Sequence, residues 1–411
     1  MLKREIESPI SNDIALSTKV ILVSGLKKVG KSYIVRSLDS RKEYISLSNL
    51  ENKEFANDNP KLFIANHSGN IIIDEIQEAP VLLDFIEEAI EGDITGLCQY
   101  ILISSDNTII PKARQIFKDK VSIFNFMGLS AREIHNISID MAFCPDEKYM
   151  NTRKHSSIKR VHNNIYKNIW LGSFPQLHFS DKEIKLEDWM QFFDDYYSEY
   201  IKPEIFTLIG KKQEFQFISF LRAIATRTAT ILDYNSIANT VGISPKTTKQ
   251  WIQKLEDMGL IYLLPCYPDY IGDRLIKANK IYFADTGLCC YLTKWINPDV
   301  IEHGALADAL FETYCVMEIL KSYRNKGIEP ELSHYKDKDK RVIDLIITIG
   351  NKNYPILFKR LENPKESMTR PFSVVWNHHN GAGAIITSDT NYTEMQTKYN
   401  LPIYTIPASF I

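Results

Sequence analysis

Residues 19–32 read KVILVSGLKKVGKS, and the fold turns on how this stretch divides. Its first six residues are a continuous apolar run rich in β-branched side chains, as a strand buried on both faces requires. The next eight, Gly25-Leu26-Lys27-Lys28-Val29-Gly30-Lys31-Ser32, fit G-x-x-x-x-G-K-[ST] at every fixed position. Residues 32–38 then suit a helix. Strand, glycine loop and helix in that order make a phosphate cradle: glycines let successive backbone N–H groups converge on phosphate oxygens, and the helix N-terminus adds positive potential. The bland alternative, a glycine turn with a surface lysine, does not explain the flanking strand and helix.

Within this cradle residues 25–33, from Gly25 to Tyr33, are the candidate nucleotide contacts. Lys31 is assigned to the β and γ phosphates and Ser32 to Mg2+. In an empty loop Lys31 is expected to be exposed, so that its removal affects ligand rather than folding. Downstream, Ile71-Ile72-Ile73-Asp74-Glu75 is an apolar strand ending in two acids. Asp74 is the candidate for the metal's water shell. Glu75 is the candidate to polarise attacking water, the catalytic partner of Lys31. An acidic pair after a strand is a weak signal alone and a strong one behind a complete phosphate loop. Ser104 and Ser105, after another strand-like run (YILIS, 100–104), could bring a hydroxyl near the γ phosphate or merely start a turn.

These strands alternate with helical periodicity at 81–90, which implies a parallel sheet with crossover helices and an α/β class. A further strand is expected at 121–126. The expected domains are a P-loop core at 1–140, a helical linker at 141–210, a winged helix at 211–300 and a nuclease-like α/β domain at 301–411. Polar sequence at 145–162 reads as a loop, and the aromatic tract at 166–209 as helices packed on aromatic faces.

Two further segments carry chemistry. Residues 233–265, DYNSIANTVGISPKTTKQWIQKLEDMGLIYLLP, give a short helix, a turn at Gly242, and a second helix with Ser244 as N-cap, Pro245 at its first position and Gly259 past its end. With strands at 261–264 and 280–284 this is a winged-helix pattern. Lys246, Thr247, Lys249 and Gln250 are expected to face outward where a DNA reader enters the major groove; a solvated basic face or a protein contact fits the same residues. In the last domain a helix with Glu312, a strand with Asp344 (RVIDLII) and a strand ending in Lys359 follow the order of a restriction-nuclease core. Leu357 stands where the second acid belongs, and hard cations want several oxygen ligands. A degenerate fold kept for docking is therefore expected, without cleavage; Glu312 and Glu362 are the alternative ligands if cutting occurs. His378 and His379 are assigned to the surface.

The stretches VSGLKKVGKS, NIIIDEIQEAP, ILISSD and VSIFNFMGLSAREI together resemble the AAA-type ATPases of bacteria and archaea fused to a C-terminal domain of unknown function. The likeness continues through GSFPQL, FLRAIATRT, LLPCYPDYIGDRLIKANKIYFADTGL and ALFETYCVMEIL, and so spans the chain. It implies ATP as nucleotide and gives Lys31, Ser32, Asp74 and Glu75 the roles argued above. It leaves a protein partner and a homo-oligomer open. Such proteins usually carry Gly-Arg before the strand at 121–126; here Asp119-Lys120 stands there, and a lysine lacks the planar fork that an arginine lays on phosphate oxygens.

The bulk composition sets limits. The 411 residues carry 49 basic and 51 acidic side chains, a formal net charge of −2, so no global basic field advertises nucleic acid. Cys98, Cys144, Cys266, Cys289, Cys290 and Cys315 form no CxxC pair and no zinc-ligand spacing. The start, MLKREIESPISND, lacks the apolar core of a signal peptide, and no apolar run approaches the roughly 20 residues of a membrane helix. A cytoplasmic chain without membrane contact is the expectation.

Overall fold

Five strands, β1 (Val20–Ser24), β2 (Glu43–Ser46), β3 (Ile71–Asp74), β4 (Tyr100–Ser104) and β5 (Val121–Asn125), pair in the order β2-β3-β4-β1-β5, every pairing parallel. They belong to a computed structural model that describes residues 3–67, 69–96, 98–155, 165–179, 183–209, 213–268, 277–361, 363–376, 381–388, 393–396 and 401–411. Every residue of β1, β3 and β4 is buried. That explains their unbroken apolar sequence: both faces are covered by crossover helices, so no position can be polar until the strand ends. On one face Val20, Leu22, Ile71, Ile73 and Leu102 pack with Leu82, Leu83, Ile86 and Ile90 of the helix Leu82–Glu91. The strands expected at 71–75, 100–104 and 121–126 are all present, within a residue.

The chain forms two compact units: Met1–Leu129 with Leu255–Leu260 and Arg324–Glu329, and Ser130–Lys254 with Ile261–Tyr323 and Pro330–Ile411. The second unit begins with helices and adds a three-stranded antiparallel sheet, β6 (Thr230–Ile231), β7 (Ile261–Leu264) and β8 (Lys280–Phe283), in the order β6-β8-β7. It ends in a six-stranded mixed sheet of β9 (Glu331–Lys336), β10 (Val342–Ile349), β11 (Lys352–Lys359), β12 (Gly383–Thr387), β13 (Thr393–Gln396) and β14 (Pro402–Pro407), ordered β13-β14-β12-β11-β10-β9. The α/β class holds: a parallel P-loop-type sheet, then a helical part, then a separate β-rich part.

Two stretches of the second unit find their reason in one buried carboxylate. Asp285, only 2% exposed, caps the helix Thr286–Thr293 by accepting from the Leu288 N–H at 2.8 Å. It also accepts from the N–H and hydroxyl of Ser173, both at 2.7 Å. Gly172, at φ 74°, brings the chain so close that a Cβ there would lie 2.5 Å from Asp285 Oδ1. The sequences GSFPQL and FADTGL are thus two halves of one contact. As expected, aromatic faces hold the helices at 166–209, with Trp170 and Trp189 stacked at 5.1 Å and Phe174 4.7 Å from Tyr196.

One expectation fails. Part of the presumed loop at 145–162 is a helix, Glu147–His155; residues 156–162 lie outside the described residues. Its polar sequence hides a buried face of Tyr149, Met150 and Arg153. The Arg153 guanidinium caps the carbonyls of Ser409 and Phe410, the latter at 3.0 Å, so a long-range partner makes a charged helix packable. Glu362, His378 and His379 also lie outside the described residues.

Candidate functional site

Parallel pairing fixes which ends of the strands meet. Ser24 is in register with Ser104, and Asp74 with Ile103, so the loop after β1, the acids after β3 and the serines after β4 leave the sheet at one edge. The loop itself depends on its glycines. A Cβ on Gly25 would lie 1.9 Å from the Phe126 carbonyl oxygen, so only hydrogen fits. Gly30 enters the helix Lys31–Leu38 at φ 98°, a conformation that side chains disfavour. Val29 is buried, and its carbonyl accepts from Arg4 at 3.1 Å; the same guanidinium donates to Met127 O at 2.9 Å and Gly128 O at 3.2 Å. Arg4 therefore staples the loop from the start of the chain, with no local signal in the sequence to announce it.

Lys31 corrects an expectation. It is not exposed: 5% of it is accessible, and its ammonium donates to Gly25 O and Leu26 O, both at 2.7 Å. The ammonium curls back over the loop's own carbonyls. Burial lowers its pKa to about 8, against the pull of Glu75 and Asp74, whose negative charges favour the protonated form. Leu26 is buried, Lys27 and Ser32 are half-buried, and Lys28 and Tyr33 are exposed. The Ser32 hydroxyl makes no hydrogen bond among the described residues, which leaves an oxygen suited to a cation.

Asp74 and Glu75 turn different ways. Asp74, 5% exposed, accepts from the Tyr44 hydroxyl at 2.5 Å and from the Glu75 N–H at 2.9 Å. Tyr44 comes from β2, a strand missing from the sequence reading. Burial and the Asp74 carboxylate push its phenol up to about 12, so it stays a donor. The backbone of Glu75 is left-handed, at φ 59°, an uncommon conformation for a side-chain-bearing residue. This turn sends its carboxylate to β4, where Ser105 Oγ donates at 2.5 Å and the Gln77 amide donates as well. Ser104 does not point a free hydroxyl outward; its one proton is shared between Gln77 Oε1 and Asp106 O, both at 2.8 Å. Lys120 precedes β5 and so lies at the opposite edge of the parallel sheet, about 16 Å away at 3.3 Å per residue; its ammonium pairs with Glu91 at 3.3 Å. Its ammonium cannot reach the glycine loop after β1 of its own chain.

The helices Tyr234–Val241 and Pro245–Asp257 are joined at Gly242, φ 75°. Lys246, Lys249 and Gln250 are exposed at the start of the second. Thr247 does not join them. It is half-buried, its N–H donates to Ser244 Oγ at 3.0 Å, and its hydroxyl meets the same oxygen at 2.8 Å.

The residues singled out in the last domain do come together, around a cation the sequence reading did not include. Lys280 of β8 pairs with Glu312 and lies 3.8 Å from Asp344. Tyr282 donates to Glu312 at 2.7 Å. Asp344 also accepts from the Phe358 N–H at 3.1 Å and faces Lys359 at 3.5 Å. Burial raises the Glu312 pKa to about 7, with Lys280 opposing the shift. Burial disfavours the charged form of Lys280, but the Glu312 and Asp344 carboxylates overcome it and raise its pKa. An ammonium held between two carboxylates takes the position of a cation, and Leu357 is buried in the core. Among the described residues no group of three or more His, Cys, Asp and Glu could hold a metal ion.

Three family models match. Residues 17–135 match an AAA domain, residues 162–299 a domain of unknown function (DUF8612), and residues 307–406 another (DUF4143). No curated protein matches the chain. Among solved structures, a signal transduction ATPase with numerous domains and a tetratricopeptide repeat sensor from Pyrococcus horikoshii is 11% identical, with a TM-score of 0.26; the match covers 78% of this chain and 47% of that one. A Vibrio cholerae protein is 10% identical, with a TM-score of 0.15 and coverage of 90% and 88%. This chain thus spans about half the length of the first of them, and likenesses at these TM-scores carry no argument. No helix among the described residues is long and apolar enough to cross a membrane.

Proposed function

We propose that this chain is an ATP-driven molecular switch whose N-terminal unit binds and hydrolyses ATP. The reading rests on one arrangement above all: at a single sheet edge, Lys31 sits in the electrostatic field of both Asp74 and Glu75, behind a loop in which Gly25 has no room for a side chain and Gly30 takes a φ that side chains disfavour. In it, residues 25–33 surround the triphosphate, and Lys31 leaves the carbonyls of Gly25 and Leu26 to meet phosphate oxygens. Ser32 and Asp74 are the residues that would hold Mg2+, which when bound offsets charge on the β and γ phosphates. Glu75 takes the proton of the attacking water.

The division into a core at 1–140, a helical linker at 141–210, a winged helix at 211–300 and a nuclease-like docking domain at 301–411 is part of this proposal. The helix pair at Gly242 followed by β7 and β8 supports the winged helix, and Lys246, Lys249 and Gln250 are the residues it would offer to DNA. The Lys280 ammonium between Glu312 and Asp344 favours docking over cleavage. A protein partner and self-association fit the same reading.

Binding of ATP to the wild type and to Lys31→Ala, followed calorimetrically, tests the proposal. Charge-assisted hydrogen bonds contribute about 1.5–3 kcal/mol each, so the variant should bind about ten- to a hundredfold more weakly. Equal affinity would remove the basis for the reading. The lowered Lys31 pKa adds a pH signature. Below pH 8 the ammonium is already charged and affinity is flat. Above about 8 the empty loop holds neutral lysine, and a polyanion must recruit a proton to recharge it. Affinity should therefore fall between pH 8 and 10 in the wild type and stay level in Lys31→Ala; a level wild-type profile would show that burial does not lower the Lys31 pKa or that Lys31 does not meet the phosphates.

A further inference from the structure

We infer that Gln77 is the positioning residue for Glu75, an inference that rests on the ATPase reading above. Glu75 alone has no means of choosing a direction. Its backbone is left-handed and its side chain half-exposed, so several rotamers would reach solvent. Gln77, two residues on in the turn Ile76–Glu78, removes that freedom by using both ends of its amide.

The amide nitrogen donates to Glu75 Oε2 and to Ser105 Oγ, the latter at 3.0 Å. The amide oxygen accepts from Ser104 Oγ at 2.8 Å and from the Ser105 N–H at 3.4 Å. Ser105 Oγ closes the ring by donating to Glu75 Oε2 at 2.5 Å. Two donors thus converge on one oxygen of Glu75, and both are anchored to the end of β4. The pattern also fixes the amide's orientation: turned over, its oxygen would face a carboxylate and its NH2 the donating Ser105 N–H. Only glutamine serves here. A glutamate would set like charges together and has no donor; an alanine would free Glu75 from β4 except through Ser105.

The consequence for chemistry is a fixed carboxylate. A base must sit within hydrogen-bond reach of the proton it takes, and misplacement by about 1 Å can cost on the order of a hundredfold in rate. Among the described residues Gln77 makes no hydrogen bond to the loop at 25–32, Lys31 included, so it should act on turnover and not on nucleotide affinity.

The test compares wild type, Gln77→Ala, Gln77→Glu, Glu75→Gln and the double variant Glu75→Gln with Gln77→Ala, in full-length protein. Gln77→Ala should lower kcat at least tenfold and change the ATP Kd less than twofold. Gln77→Glu, of the same size, should lose at least as much. The double variant should be no slower than Glu75→Gln alone, because Gln77 works only through that carboxylate. A second readout stands apart from turnover: the crystal structure of nucleotide-free Gln77→Ala beside that of the wild type. The Glu75 carboxylate should hold one position at Ser105 in the wild type and several in the variant. Gln77→Glu turning over at the wild-type rate, or a Glu75 carboxylate that keeps its single position in Gln77→Ala, overturns the inference. A wild type without turnover in which Gln77→Ala still releases the carboxylate would sink the ATPase reading and leave the positioning role standing.

Discussion

Glu75→Gln is expected to keep ATP and lose hydrolysis, with turnover falling by about 10²–10⁴, the usual contribution of a general base. The substitution is close to isosteric. Ser105 Oγ can still donate to the amide oxygen, so the turn at φ 59° and the site's shape should survive. What disappears is the ability to accept a proton from water. Lys31 loses one of the two negative charges that favour its protonation, while the triphosphate loses a carboxylate that repels it; the two effects oppose each other, so affinity at neutral pH changes only modestly. Single-turnover phosphate release beside equilibrium ATP binding separates the two effects. Normal hydrolysis by this variant would make the acidic pair structural.

The second large effect lies far from the nucleotide. Lys280→Ala is expected to destabilise the second unit by about 3–5 kcal/mol, as removing one partner of a buried pair does. Lys280 and Glu312 are nearly inaccessible, at 9% and 15% of their side chains, and without the ammonium two carboxylates face each other, with Lys359 beside Asp344 and the Tyr282 hydroxyl on Glu312. The pH dependence follows. The folded-state pKa of Glu312 already lies near 7, above the ordinary 4.5, and losing Lys280 drives it higher. The folded protein then binds more protons than the unfolded one, so the variant should regain stability as pH falls from 7 toward 5. Adding Glu312→Gln should rescue it at neutral pH. A urea midpoint within experimental error of wild type would show that the cluster is solvated and that Lys280 does not fill a cation's place.

What the sequence made legible follows from how locally each feature is specified. β1, β3 and β4 are buried on both faces, so each is a continuous apolar run that turns polar only at its end, and the loop's glycines are fixed by backbone geometry alone. β2 escaped notice because EYIS has one buried residue, Ile45, and no alternation long enough to count; Tyr44 went with it. Arg4, Gln77 and Lys280 were missed for another reason. Each is an ordinary polar residue whose role exists only through a partner brought near by folding: Val29 and Met127 for Arg4, Ser104 and Ser105 for Gln77, Glu312 and Asp344 for Lys280. The same holds for Arg153, which turned a polar stretch into a packed helix. Lys31 was found but placed wrongly. Its motif defines a contact to phosphate, and in the structure the same ammonium satisfies the carbonyls of Gly25 and Leu26.

The central claim, that the loop, Lys31 and the Asp74–Glu75 pair form a working nucleotide site, is tested most directly by phosphate release from Mg2+-ATP by the purified chain, alongside Lys31→Ala and a sample in EDTA. The account predicts repeated turnovers per chain that vanish both without Mg2+ and without Lys31. Phosphate release that persists in Lys31→Ala, or a wild type that neither binds nor hydrolyses ATP, would contradict it.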